Sequence, residues 1–152
     1  MIVKNSPLQL VDTFLLNFDL KFNSIPDNLN IKELISKYSI DLDFAFVNPD
    51  ENNFINVYTK VSINKDGDLI PGYSIFAECI SIFTFQDLPN LNDDEIHNFM
   101  SSSAIPISIN TLRNYISNIT SQSILGKYLL PTIDIDALFK QKNNIVTTSN
   151  DL

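Results

Sequence analysis

The sequence predicts an α+β domain, a four-stranded antiparallel sheet followed by C-terminal helices packed on one face. Apolar residues recur at every second position in four separate runs through residue 86, the period of a half-buried strand. Over the last third the apolar spacing lengthens to three and four, the period of an amphipathic helix. Composition agrees: Ile (21) and Phe (11) are abundant while Gly (3) is scarce, and Ile and Phe favour strands.

The first strand spans residues 8–22, with Phe14, Leu16, Phe18, Leu20 and Phe22 on one face and Leu15 breaking the alternation. Fifteen residues is long against a usual strand of about 5–6, which suits a large sheet or a shared interface. Ile25-Pro26-Asp27-Asn28 is a turn signal, after which Ile31, Leu34, Ile35 and Tyr38 sit at the spacing of one or two helical turns. Residues 38–47 form the second strand, with Tyr38, Ile40, Leu42, Phe44 and Phe46 opposite Asp41 and Asp43. Asn48-Pro49-Asp50-Glu51-Asn52-Asn53 reads as a loop. Residues 54–64 are the third strand, and Lys65-Asp66-Gly67-Asp68 is a hairpin-type turn. The fourth strand, residues 73–86, follows Pro71-Gly72 and is apolar on both faces, with Tyr73, Ile75, Ala77, Cys79, Phe83 and Phe85 opposed by Phe76, Ile80 and Ile82. Helices cover one face of such a sheet, so the second face calls for another subunit.

Asn92 with Glu95 forms a capping-box variant that starts a short helix ending near residue 101. Ile109, Leu112, Ile116 and Ile119 define a longer helix, with Gly126 as its stop. Tyr128-Leu129-Leu130-Pro131 is a connector, and Asp134 caps a last helix with Ile135, Leu138 and Phe139 on its apolar side. One domain over residues 1–142 and a polar, frayed tail over 143–152 complete the organisation.

A net charge of −8 disfavours a nucleic-acid partner. The single cysteine, Cys79, forms no disulfide within the chain, and with the single histidine, His97, it makes no zinc site of the usual kind. No apolar stretch is long enough for a membrane span, and the first residues lack the apolar core of a signal peptide, so the expected location is the cytoplasm. His97 lies among Asp93, Asp94 and Glu95 and reads as solvated; Cys79 reads as a buried, inert thiol. A phosphate loop is missing, because Gly126-Lys127 lacks both the upstream Gly and the following Ser or Thr. Placing Gly67 at position six of a calcium loop puts Ser62 and Tyr73 where carboxylates belong, which rejects calcium. Asp41 and Asp43 read as the wet face of a strand rather than a catalytic pair. The expectation is a protein that is not an enzyme, with no cofactor and no metal.

Asn110-Thr111-Leu112-Arg113-Asn114-Tyr115-Ile116-Ser117-Asn118-Ile119-Thr120, followed by Leu129-Leu130-Pro131-Thr132-Ile133-Asp134-Ile135-Asp136-Ala137-Leu138-Phe139, resembles the protein-export chaperone SecB. Arg113 stands where the family's helix arginine does, and Asp136-Ala137-Leu138-Phe139 matches the family's last segment. Ile40-Asp41-Leu42-Asp43 resembles its second strand, and Phe76-Ala77-Glu78 with Ile82-Phe83 its fourth. The resemblance implies a homotetramer built as a dimer of dimers. It also implies apolar grooves that hold unfolded polypeptide without ATP. It marks Ile40, Leu42 and Phe139 as client-binding residues, and the alternation extends that face to Phe44; ordinary core is the alternative for all four. Glu78 matches an acidic position on the surface that docks the SecA motor, but the acidic residue expected near Asn23-Ser24 is absent, which leaves SecA docking open. Arg113 reads as a helix-to-loop hydrogen bond or subunit salt bridge before it reads as a partner contact. The leading expectation is therefore a holdase that keeps preproteins export-competent. The alternatives are a chaperone dedicated to one client, such as the antitoxin of a toxin–antitoxin pair, and an oligomeric adaptor that kept the fold without client binding.

Overall fold

The computed structural model of the chain describes residues 5–47, 51–65, 69–86 and 90–149, with 143–149 as backbone only. Four strands, β1 (Leu8–Asn23), β2 (Ile40–Val47), β3 (Phe54–Ile63) and β4 (Gly72–Phe85), form one antiparallel sheet in the order β1-β4-β3-β2. Among the described residues the α-helices are α1 (Ile31–Ile35), α2 (Asp93–Phe99), α3 (Ile105–Thr120) and α4 (Ile135–Ser149). The expected fold class is the observed one. The Asp66-Gly67-Asp68 turn and the Asn48-Pro49-Asp50 part of the preceding loop lie outside the described residues.

The core lies between the sheet and α3. Tyr73, Ile75, Ala77, Cys79 and Phe83 of β4, and Ile55, Val57, Val61 and Ile63 of β3, point to the side where α3 buries Ile105, Ile109, Leu112 and Ile116. Period-two strands and a period-3.6 helix meet along one apolar seam. On the opposite face Phe76, Ile80 and Ile82 are half-buried, as their alternate positions require. Tyr38 closes one end of the core. Its hydroxyl accepts from the Tyr73 N–H at 2.8 Å, donates to the Pro71 carbonyl at 3.1 Å, and its ring stacks on Tyr128 at 6.1 Å. Burial raises the Tyr128 phenol to about 12, because the anion would lose its hydration.

Three local expectations are revised. β1 does not keep one alternation. Register shifts between Leu10 and Asp12 and between Leu15 and Asn17 place Phe14 opposite Ile80 on the outer face, whereas Phe18, Leu20 and Phe22 stand opposite Ala77, Ile75 and Tyr73 on the helix side. Each bulge inserts a residue and flips the side chains that follow it. The helix predicted to end near residue 101 instead continues: a π-helical turn, Met100–Ala104, joins α2 to α3. Pro106, in the first turn of α3, has no N–H for a regular helical bond to Ser102, and the wider turn absorbs that loss. The capping box of Asn92 and Glu95 is present as expected, with reciprocal bonds of 2.9 and 3.0 Å. Finally, α3 ends at Thr120, well before Gly126; the backbone of α4 is helical through Ser149.

Candidate functional site

β2 is an edge strand, and α4 lies over its helix-side face. The residues expected to hold a client meet there. Phe44 and Phe139 are in ring contact, with centroids 4.8 Å apart and planes inclined by 53°. Leu42 lies one step along the same face as Phe44, and both are buried core residues, at 9% and 4% exposure. Ile40 continues the face, half-buried and opposite Ile63. Phe139 is itself half-buried, and its far side meets His97 of α2 at 6.3 Å between ring centroids. A cavity of about 350 Å³ remains between β2 and α4, bounded by Asp41, Leu42, Phe44, Lys60, Leu138 and Gln141. Ile40, Leu42 and Phe44 thus share one face, and Phe139 of the chain's own last helix packs on Phe44.

Apolar packing of Ile135, Leu138 and Phe139 on the core is joined there by an ion pair. Lys142 on α4 donates to Asp43 Oδ1 at 2.6 Å and to the Phe44 carbonyl, and its ammonium lies 4.6 Å from the centre of the Phe44 ring. Lys60 of β3 approaches the other Asp43 oxygen at 3.6 Å. Partial burial pushes the Asp43 carboxyl up, but the bond and charge of Lys142, the Phe44 N–H and the charge of Lys60 outweigh it, and the net shift is downward. Asp43 is therefore an ion-paired anchor rather than a freely wet carboxylate, a role the strand alternation could not reveal. Lys142 was legible only as a lysine one turn beyond Phe139.

Glu78 sits elsewhere. It lies on the outer face of β4, opposite Asn17 of β1 and Lys60 of β3, beside a recess that includes Tyr58 and Asp43. A partner docked at Glu78 would approach from the side of the sheet away from Leu42 and Phe44. Arg113 takes the helix-to-loop role. Its guanidinium donates to the Leu130 and Pro131 carbonyls, each at 2.9 Å, and also bonds Asn110. The planar fork suits two neighbouring acceptors, and it fixes the connector that leads to α4.

Covalent chemistry finds little support. Cys79 is buried; burial raises its pKa, and its Sγ lies 3.0 Å from the Thr59 hydroxyl. His97 is exposed, and among the described residues no group of three His, Cys, Asp or Glu is placed to hold a metal ion. Among the same residues, no helix is long and apolar enough to cross a membrane.

No family model and no curated protein matches the chain. Solved structures do. The Mycobacterium tuberculosis Rv1957 SecB-like chaperone, in complex with a ChAD peptide from the Rv1956 HigA1 antitoxin, superposes with a TM-score of 0.57 at 14% identity, covering 84% of this chain and 91% of that one. A protein of unknown function from Streptococcus agalactiae gives a TM-score of 0.41 at 11% identity, covering 82% of this chain and 97% of that one. The order of strands and helices, the sheet topology and the match to the first of these agree: the chain has the fold of a SecB-like chaperone.

Proposed function

We propose that the chain is an ATP-independent chaperone of the cytoplasm that holds unfolded polypeptide at the β2 face, with Ile40, Leu42, Phe44 and Phe139 as the apolar contacts. The observation that carries this reading is the SecB-like fold, matched over most of both chains to a chaperone in complex with a peptide. An apolar client segment laid against these side chains loses water-exposed area, worth about 25 cal/mol per Å². Ordering the client opposes that gain, so one segment binds weakly and several sites on one oligomer hold a client together.

Two client ranges remain within the proposal. A general holdase would keep preproteins export-competent and would use Glu78 on the outer face to meet SecA. A dedicated chaperone would serve one client, as the antitoxin peptide in the neighbouring structure suggests.

The test is light scattering by a reduced, aggregation-prone polypeptide with the purified chain present, paired with native mass spectrometry. Suppressed scattering and a complex carrying one client are expected without ATP. Unchanged scattering and no complex with any unfolded client would remove the holdase reading and leave the adaptor.

A further inference from the structure

We propose that β1 has two registers on β4 and that Tyr115 of α3 selects the bulged one, so that a migrating bulge decides which apolar side chains of β1 face out. The block between the two register shifts runs out of phase with the rest of the strand. Outside it, Leu8, Leu10, Phe18 and Leu20 stand opposite Phe85, Phe83, Ala77 and Ile75 on the helix side. Inside it, Thr13 and Leu15 take that side, opposite Ser81 and Cys79, and Phe14 faces out opposite Ile80. The block is a poor match to its surroundings. Phe14 and Leu16 are 49% and 51% exposed, and the buried Ser81 hydroxyl opposite Thr13 has no hydrogen-bond partner among the described residues.

A second register is written into the same residues. Extending the pairing of Asn17 with Glu78 and of Phe18 with Ala77 without a shift sets Leu16 opposite Cys79 and Phe14 opposite Ser81. Phe14, Leu16, Phe18, Leu20 and Phe22 then share one face, which is the alternation that the sequence carries. The two shifts merge between Leu10 and Phe14, so Leu8, Leu10 and the residues from Asn17 onward keep their partners. The helix side of the strand thereby trades Thr13 and Leu15 for Phe14 and Leu16. That trade removes apolar area from water, which favours the second register.

A clamp on Thr13 opposes it. The half-buried Tyr115 donates its hydroxyl proton to the Thr13 carbonyl at 3.2 Å, and its oxygen lies 3.2 Å from Thr13 Oγ1. The Asp12 carboxylate accepts from the Thr13 N–H at 2.8 Å. The Tyr115 bonds last only while Thr13 faces α3. In the second register Phe14 enters where Thr13 now meets Tyr115, so the bonds and the larger ring exclude one another. β1 is an edge strand, so β4 is the one strand of the sheet that must follow the change.

The test uses Cys79 as a reporter of register. Leu15→Cys sets a thiol opposite Cys79 in the bulged register, and Leu16→Cys sets one there in the second. Each substitution is made in the parent chain and in Tyr115→Phe. The full chains are refolded from urea in a glutathione redox buffer, so that burial of Cys79 does not limit exchange, and the ratio of linked to reduced chain is read by intact mass. In the parent, Leu15→Cys is expected to link to Cys79 about tenfold more than Leu16→Cys, as two hydrogen bonds of ordinary strength allow. Tyr115→Phe keeps the ring and drops the hydroxyl. It is expected to raise the Leu16→Cys link about fivefold without raising the Leu15→Cys link. An unchanged Leu16→Cys ratio in Tyr115→Phe overturns the proposal. So do parallel changes in both links, because the hydroxyl would then only steady the strand. Equal linking of the two cysteines in the parent means that Tyr115 selects nothing, and no link at Leu15→Cys removes the bulged register; either result overturns the proposal. None of these outcomes depends on client binding.

Discussion

Two residues with unusual backbones hold the end of the sheet where β3 and β4 meet α1. Asn64 adopts φ 52° and is buried, and its side-chain amide donates to the Ile70 and Tyr73 carbonyls at 2.7 and 2.6 Å while accepting from the Ile70 N–H at 2.9 Å. Gly72 adopts φ 112°, and a Cβ added there would overlap the Tyr38 hydroxyl that accepts from Tyr73. Both positions combine left-handed backbone with a buried polar network, the setting in which single substitutions cost most. Asn64→Ala leaves three polar partners unsatisfied, and Gly72→Ala adds a clash to strain; each is expected to lower unfolding free energy by about 2–4 kcal/mol in urea denaturation. Asn64→Asp keeps the bond from the Ile70 N–H but turns a buried carboxylate oxygen toward the Ile70 and Tyr73 carbonyls, so it should cost at least as much as Asn64→Ala. A loss below about 0.5 kcal/mol for Asn64→Ala would show the network to be dispensable. Pro71-Gly72 is legible as a turn, but no local pattern signals that Tyr38, 34 positions upstream, occupies about the space a side chain would need.

At the scale of elements, the sequence disclosed periods but not partners. The four strands, the apolar seam of α3 and the Asn92 cap follow from local spacing, which is a property of neighbouring residues. The split of Phe14 from Phe18 does not, because a bulge depends on the strand beside it. Nor does the fate of Leu42 and Phe44: alternation marks them as one apolar face, yet whether a client or α4 covers that face is a matter of long-range packing. Arg113 joins the two levels, since it ties α3 to the connector that delivers α4. Arg113→Ala removes two bonds to carbonyls and should lower stability by about 1–3 kcal/mol, with faster hydrogen exchange concentrated between residue 128 and α4. Arg113→Lys should recover only part of this, because an ammonium cannot span both acceptors with one planar fork. Exchange that accelerates evenly across the sheet would mean that Arg113 braces the core instead.

At the scale of the molecule, the two edges of the sheet differ. β2 is capped by its own chain around Phe44, through Asp43, Lys142 and the ring of Phe139, while Phe46 and Val47 beyond it stay exposed. β1 is 16 residues long, the opposite edge, and carries Leu10, Val11, Phe14 and Leu16 at 45–51% exposure. Val11 and Leu16 lie at its register shifts, so the bulges that bend an edge away from foreign strands here also turn apolar side chains outward. A long apolar edge at net charge −8 per chain is a liability for a free monomer and an asset for an assembly, where pairing buries the edge and the summed charge keeps the particle dispersed. The homotetramer that the SecB resemblance implies predicts a native mass near four times 17.2 kDa. Joint replacement of Val11 and Leu16 by Lys places like charges on the pairing surface and should shift that mass to smaller species, while far-ultraviolet circular dichroism stays unchanged because both side chains are already exposed. A parent chain that runs at 17.2 kDa at micromolar concentration would refute the assembly and leave the exposed edge of β1 without a partner. An unchanged tetramer in the Lys variant would move the interface elsewhere, with the half-buried Ile80 and Ile82 of the outer face as the next surface to substitute.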